Sequence, residues 1–138
     1  DEFPLSLSQV PSLESINMGG NKLRVLPANL SSLCNLVTLS CENNMIETFP
    51  LGIFDLESLR FLWLRQNRLI ELPEKISDLS NLEVLSLSSN RLKTLPDYLA
   101  NMSQLKKLYV NGNRIEEVSS DLRTHILSVS GPPIPENT

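Results

Sequence analysis

The stretch LRFLWLRQNRL at residues 59–69 decides the fold, because four other stretches of the chain repeat its pattern. They are LESINMGGNKL from Leu13, LVTLSCENNMI from Leu36, LEVLSLSSNRL from Leu82 and LKKLYVNGNRI from Leu105. Consecutive copies start 23 residues apart, and apolar residues fill the first, fourth, sixth and eleventh places counted from the opening leucine. A fixed period of this length predicts repeats that bury their leucines by stacking on their neighbours.

A second pattern follows the first four copies. It reads LPANLSSL from Leu26, FPLGIFDL from Phe49, LPEKISDL from Leu72 and LPDYLANM from Leu95. Proline suits the first turn of a helix, where its missing N–H is not needed. Leu26, Leu30 and Leu33 are spaced to fall on one helical face. This half of each repeat is therefore predicted to form a short helical turn.

Asparagine holds the ninth place of every copy, as Asn21, Asn44, Asn67, Asn90 and Asn113. The chain turns inward at this place, and an amide side chain can hydrogen-bond both N–H and C=O groups of a buried backbone. We expect the five asparagines to form a structural ladder along the stack.

We interpret residues 1–138 as a single domain. A partial repeat covers 1–12, full repeats begin at 13, 36, 59, 82 and 105, and a shortened terminal repeat covers about 122–134. The C-terminal end departs from the pattern, because Ser119 replaces the expected proline and Pro132 replaces the asparagine. Pro132 and Pro133 cannot donate to a strand ladder, so we expect them to protect the outer edge of the sheet.

These motifs resemble the leucine-rich repeat family, over about residues 3–134. The 23-residue length and the L-P-x-x-L-x-x-L segment are similar to the intracellular Ras-group subclass, which includes scaffolds of the Scribble and Erbin type. The resemblance implies an α/β fold, a right-handed leucine-rich repeat solenoid. A parallel sheet of short strands would line its concave side, and turns or short helices its convex side.

Composition excludes several classes of function. The net charge is −4 and the longest basic run is Lys106-Lys107, so nucleic acid is not an expected partner. No apolar stretch has the length of a membrane span. Two cysteines, Cys34 and Cys41, do not make a disulfide framework, which favours a cytoplasmic location. Sequons at Asn29 and Asn101 leave a secreted or extracellular protein open as an alternative.

No residue set in the sequence has the pattern of an active site. His125 is the single histidine, and Asp121 precedes it, but no nucleophile elbow or phosphate-binding loop accompanies them. No group of His, Cys, Asp and Glu has metal-ligand spacing. We therefore predict no enzymatic activity, no catalytic residues, no metal, no cofactor and no small-molecule substrate.

Trp63 is the only tryptophan, and strand alternation places it on the face opposite Leu62 and Leu64. Places three, five, seven and eight share that outward face, where most residues are small and polar. The fourth repeat has Val84, Ser86, Ser88 and Ser89 there. The exceptions are large. The predicted partner-binding residues are Phe61, Trp63, Arg65, Lys107 and Tyr109.

Strands stack ~4.8 Å apart, so Trp63 and Tyr109, two strands apart, are expected to lie roughly 10 Å from each other with serines between them. Trp, Tyr and Arg dominate binding hot spots. We therefore predict a non-catalytic protein-interaction module, a scaffold or adaptor that binds a protein partner on its concave face. Two alternatives stay open: the substrate-targeting domain of a larger enzyme or of a bacterial effector such as a ubiquitin ligase, and an extracellular ligand-binding receptor fragment.

Overall fold

Five short parallel strands, one per repeat, form the sheet in the computed structural model, which describes Pro4, Ser6 and residues 9–26, 28–49 and 51–123. The strands are β1 (Ser15–Asn17), β2 (Thr38–Ser40), β3 (Phe61–Trp63), β4 (Val84–Ser86) and β5 (Lys107–Tyr109). They lie in chain order, and each residue pairs with the residue at the same place of the next repeat. The predicted solenoid with a parallel sheet is confirmed.

Alternation within each strand separates the core from the solvent face. Leu62 and Leu64 are 0% and 1% exposed, whereas Phe61 and Trp63 are half-buried. The leucine rows at places one, four, six and eleven form one continuous core, which runs from Ile16 to Leu122 within the described residues. The prediction that Trp63 faces away from the leucine core is confirmed.

The convex half of each repeat is a 3₁₀ segment, and the four with described bounds are Ala28–Ser32, Leu51–Asp55, Glu74–Asp78 and Asp97–Asn101. Pro73 and Pro96 do not lie in the first turn as predicted; each is the N-cap residue, with extended backbone. Their carbonyls accept the first bonds of the segment, from Ile76 N–H at 3.1 Å and Leu99 N–H at 3.2 Å. The proline thus fixes the extended approach to the turn.

Both cysteines are free. Cys41 fills a leucine place in the core, and burial raises the pKa of its thiol to about 12. Cys34 is exposed. One thiol is thus buried and the other is not, and the two do not form a disulfide.

Ser119 replaces the proline of the fifth repeat and caps the last turn in the described chain. Its hydroxyl oxygen accepts the Leu122 N–H at 3.2 Å, and its carbonyl accepts the Arg123 N–H at 2.9 Å. Residues 120–123 are α-helical rather than 3₁₀. Serine is a strong N-cap residue, so this helical start follows from the substitution. The strand of the predicted terminal repeat, with Pro132 and Pro133, lies outside the described residues.

Each strand block ends in a left-handed residue at place eight. The φ values lie between 55° and 73° for Gly20, Asn43, Gln66, Ser89 and Gly112. This reversal turns the chain inward, so that the asparagine at place nine enters the core. Because a side chain costs energy in this conformation, glycine and asparagine suit the place best.

A matched pair of glycine substitutions tests how tightly this turn is packed. We expect Gly20→Ala to cost about 1 kcal/mol, because its new Cβ meets no atom within 4 Å and only the positive φ opposes it. Gly112→Ala should cost more, since its Cβ would lie 3.1 Å from Ser89 Oγ and 3.3 Å from Ser89 Cα. Urea unfolding of both variants checks this order, and equal losses would contradict it.

Candidate functional site

The candidate site lies on the concave face, the face of the sheet opposite the leucine core. Strand register places the fifth-place residues in one line across the sheet, so Ser86 has Trp63 on one side and Tyr109 on the other. These two aromatic side chains belong to strands two apart, and both are half-buried. The line therefore sets a small hydroxyl between two large rings.

A depression of about 470 Å³ opens at this line. Its lining residues come from the second to fifth repeats and are Glu42, Trp63, Arg65, Ser86, Ser88, Ser89, Tyr109 and Asn111. Three of the five predicted partner-binding residues, Trp63, Arg65 and Tyr109, are thus brought together. Hydroxyl, amide, guanidinium and carboxylate groups lie beside aromatic carbon, a combination suited to a peptide or a protein side chain.

The floor of the depression differs from the expected solvated face. Ser86 and Ser88 are only 4% and 6% exposed. Their larger neighbours on β3 and β5 shield these small side chains from water. Ser88 also donates its hydroxyl to Asn111 Oδ1 across the strands. In the fourth repeat, Ser86 and Ser88 therefore form a packed floor, whereas Ser89 is exposed.

Phe61 and Lys107 lie outside this lining. Register places them on either side of Val84 in the third-place line, next to the aromatic line. The Arg60 guanidinium lies over the Phe61 ring, 5.3 Å from its centroid, in a cation–π contact. One face of that ring is thus already occupied, whereas Lys107 is exposed. These two residues flank the depression.

The ninth-place asparagines make a repeated set of hydrogen bonds. Asn67 Oδ1 accepts the Ile46 N–H at 3.0 Å, and its Nδ2 donates to the carbonyls of Cys41 at 2.9 Å and Leu64 at 3.1 Å. Asn44, Asn90 and Asn113 make the equivalent bonds. Asn21 is exposed and bonds only to Met18 and Gly19 of its own turn within the described residues.

A second ladder, which sequence reasoning missed, lies just before the strands. Asn35, Ser58 and Asn81 donate side-chain hydrogen bonds to carbonyls 24 residues upstream, at 2.8, 2.7 and 2.7 Å. Their shared phase, one residue before each opening leucine, is visible in the sequence. Only the mixture of Asn and Ser conceals it. Side-chain hydrogen bonds therefore link the chain at both ends of the strands to the preceding repeat.

A charged row at place two crosses three strands. Glu83 Oε1 lies 2.6 Å from Arg60 Nη2, and Glu83 Oε2 lies 3.3 Å from Lys106 Nζ. The hydrogen bond from Arg60 holds the pKa of Glu83 below its ordinary value, while burial acts in the opposite direction and Lys106 adds to the lowering. Because the charges alternate along this row, the Glu83 carboxylate forms ion pairs with both cations.

Nothing in the described chain has the geometry of a metal centre: no three His, Cys, Asp or Glu side chains there could hold an ion. His125, the histidine considered from sequence, lies outside the described residues. In the described part, no helix is long and apolar enough to cross a membrane.

Comparison with known families gives two matches. The leucine-rich repeat region profile matches residues 51–124, more than half of the chain, and the leucine-rich repeat profile matches residues 12–33. No curated protein matches the sequence.

Solved structures share the fold. A leucine-rich repeat protein of Leptospira interrogans is 30% identical, with a TM-score of 0.87, over 95% of this chain and 33% of that one. The ectodomain of the receptor kinase GASSHO1/SCHENGEN3 of Arabidopsis thaliana, in complex with Casparian strip integrity factor 2, is 28% identical, with a TM-score of 0.80. This match covers 93% of the present chain and 16% of the ectodomain. An internalin of Listeria monocytogenes is 21% identical and has a TM-score of 0.81, over 94% of this chain and 37% of the internalin. The chain thus spans about a third of the length of the bacterial proteins and less of the plant ectodomain.

Removal of one ladder side chain should destabilise the protein. Asn67→Ala leaves the Ile46 N–H and the Cys41 and Leu64 carbonyls without their side-chain partner, so we expect a loss of roughly 1–3 kcal/mol in unfolding free energy. The exposed Asn21→Ala is the matched control and should cost less. Thermal and urea unfolding measure both, and an unchanged melting temperature for Asn67→Ala would contradict a structural role.

The Glu83 row predicts a pH dependence. A carboxylate whose pKa is lowered in the folded state stabilises it above the unfolded pKa, and that stability is lost as pH falls through the folded pKa. Glu83→Gln should therefore lower the urea midpoint at about pH 7, and this loss should shrink as the pH falls below the unfolded pKa of the carboxylate. Glu71→Gln, at an exposed carboxylate without an ion pair in the described chain, should show no such dependence.

Proposed function

Because this chain belongs to the leucine-rich repeat family, we propose that it is a non-catalytic protein-interaction module that holds a protein partner on its concave face. The observation that carries the proposal is the line Trp63–Ser86–Tyr109, in which two half-buried aromatic rings flank a buried serine floor. Aromatic side chains of this kind form the anchors of many protein interfaces.

The scaffold beneath the site favours binding. In-register strands and the buried asparagines hold the backbone of the second to fifth repeats in one arrangement. A surface that is already ordered loses little conformational entropy when a partner binds. Trp63 and Tyr109 would contact the partner directly, with Arg65 beside them and Phe61 and Lys107 at the flank.

The role of the whole protein is a further part of the proposal. The 23-residue repeats and the absence of a disulfide between the two described cysteines support a cytoplasmic scaffold or adaptor of the Ras-group type. The second candidate is a recognition segment of a longer protein, either the targeting part of an enzyme or bacterial effector or a piece of a receptor ectodomain. The similarity to part of much longer bacterial and plant proteins favours that candidate.

Truncation of the central anchor tests the site. Short random peptides displayed on phage are selected for binding to the folded protein. The affinity of each selected peptide is then measured for the unaltered chain and for its variants. Trp63→Ala should weaken them by roughly 2 kcal/mol or more, about 30-fold, because the largest ring of the depression is gone. Its melting temperature should change little, since Trp63 lies on the face opposite the leucine core and its loss leaves no cavity in that core.

The matched control removes an exposed apolar side chain away from the depression. Ile70 is 57% exposed and does not line it, so Ile70→Ala should bind the same peptides as the unaltered chain. Equal binding by a folded Trp63→Ala variant would place the partner site elsewhere on the solenoid.

A further inference from the structure

Three consecutive repeats carry arginine at place ten: Arg68, Arg91 and Arg114. The backbone N–H of each arginine donates a hydrogen bond to a carbonyl of the preceding repeat. The bonds are Arg68 N–H to Ile46 O at 2.8 Å, and Arg91 N–H to Leu69 O and Arg114 N–H to Leu92 O, both at 2.9 Å. Hydrogen-bonded chains of this kind lie ~4.8 Å apart. The fold therefore attaches three cationic side chains at a short, fixed spacing. We call Arg68, Arg91 and Arg114 the arginine row.

This row is not neutralised by neighbouring carboxylates. Arg68 lies 4.0 Å from Glu47, an exposed and weak pair. Arg91 and Arg114 are exposed and have no ion pair within the described residues. The place-two row is the internal contrast, because there Glu83 lies between Arg60 and Lys106 and compensates both. Like charges at the same place of neighbouring repeats repel, so the uncompensated row carries a cost that an anionic partner would remove.

The arginine row borders the candidate site. Ser89, which lines the depression, is two residues before Arg91, and the intervening Asn90 is buried in the ladder. Arg65, also in the lining, is three residues before Arg68. The row therefore runs along the carboxyl ends of the strands, at one edge of the depression, in a chain whose net charge is −4.

We propose that the partner segment is an acidic peptide in extended conformation that runs across the strands over Trp63 and Tyr109, and whose carboxylates pair with Arg91 and Arg114. The inference rests on the proposed function and adds the chemistry of the ligand. Alternate side chains of an extended peptide are ~6.6 Å apart on one edge, a separation that two long arginine side chains can span. Carboxylates on that edge would meet the arginines, while the residues between them would meet the aromatic line. Bidentate pairing with carboxylates is a property of the guanidinium group.

Selection from the same random peptide library tests the proposal. We expect the Trp63-dependent binders to be enriched in Asp and Glu at alternate positions, with apolar residues between them. The double variant Arg91→Gln, Arg114→Gln should bind these peptides about 10-fold more weakly, and about 0.5 M salt should weaken the unaltered chain similarly. The double variant Arg24→Gln, Lys75→Gln removes the same charge from exposed sites elsewhere and should bind normally.

The outcomes separate the two proposals. Trp63-dependent binders without acidic residues would overturn the acidic peptide and leave the interaction site standing. Absence of any Trp63-dependent binder would overturn the site itself, and the acidic peptide with it. If heparin binds the chain through Arg91 and Arg114 and the selected peptides are neutral, the arginine row serves a polyanion, and the acidic-peptide proposal is wrong.

Discussion

The constraint on which the structure depends is the inward turn at the end of each strand. There the backbone enters the core with polar groups that no helix or sheet can pair, and a buried unpaired amide or carbonyl costs about 1–3 kcal/mol. The asparagine at place nine resolves this with one side chain: Asn44, Asn67 and Asn90 each accept one N–H and donate to carbonyls of their own and the preceding repeat. These bonds fix the register, and the register places the leucines of successive repeats on top of each other.

A fixed register also determines how a surface is built on this fold. Residues that share a place in successive repeats lie side by side across the sheet, so the side chains of a surface are arranged in rows. Trp63, Ser86 and Tyr109 form one row, and Arg60, Glu83 and Lys106 form another. Neighbouring rows then interact, as when Arg60 covers one face of the Phe61 ring. The place and the repeat of a residue therefore determine which side chains lie next to it on the concave face.

Periodicity made the fold, the strands and the inward or outward direction of Trp63 predictable, because each depends only on the phase of a residue. What sequence reasoning missed depends on neighbours. Ser86 and Ser88 have outward phases yet are 4% and 6% exposed, since larger side chains on the adjacent strands cover them. The capping role of Pro73 differs from the first-turn prediction by one residue, within the usual uncertainty of a helix boundary. The ladder of Asn35, Ser58 and Asn81 was overlooked because two residue types share one role.

The long-range ladder bonds join each repeat to the one synthesised before it. The long-range bonds of Asn44 reach back to Met18 and Leu23, and those of Asn67 reach back to Cys41 and Ile46. During synthesis, each repeat can therefore form its bonds to the preceding repeat as soon as it leaves the ribosome, because those partners have already emerged. Such a chain can assemble from its N-terminus one repeat at a time, with the newest repeat alone exposing its leucines, an order that limits aggregation of the nascent chain.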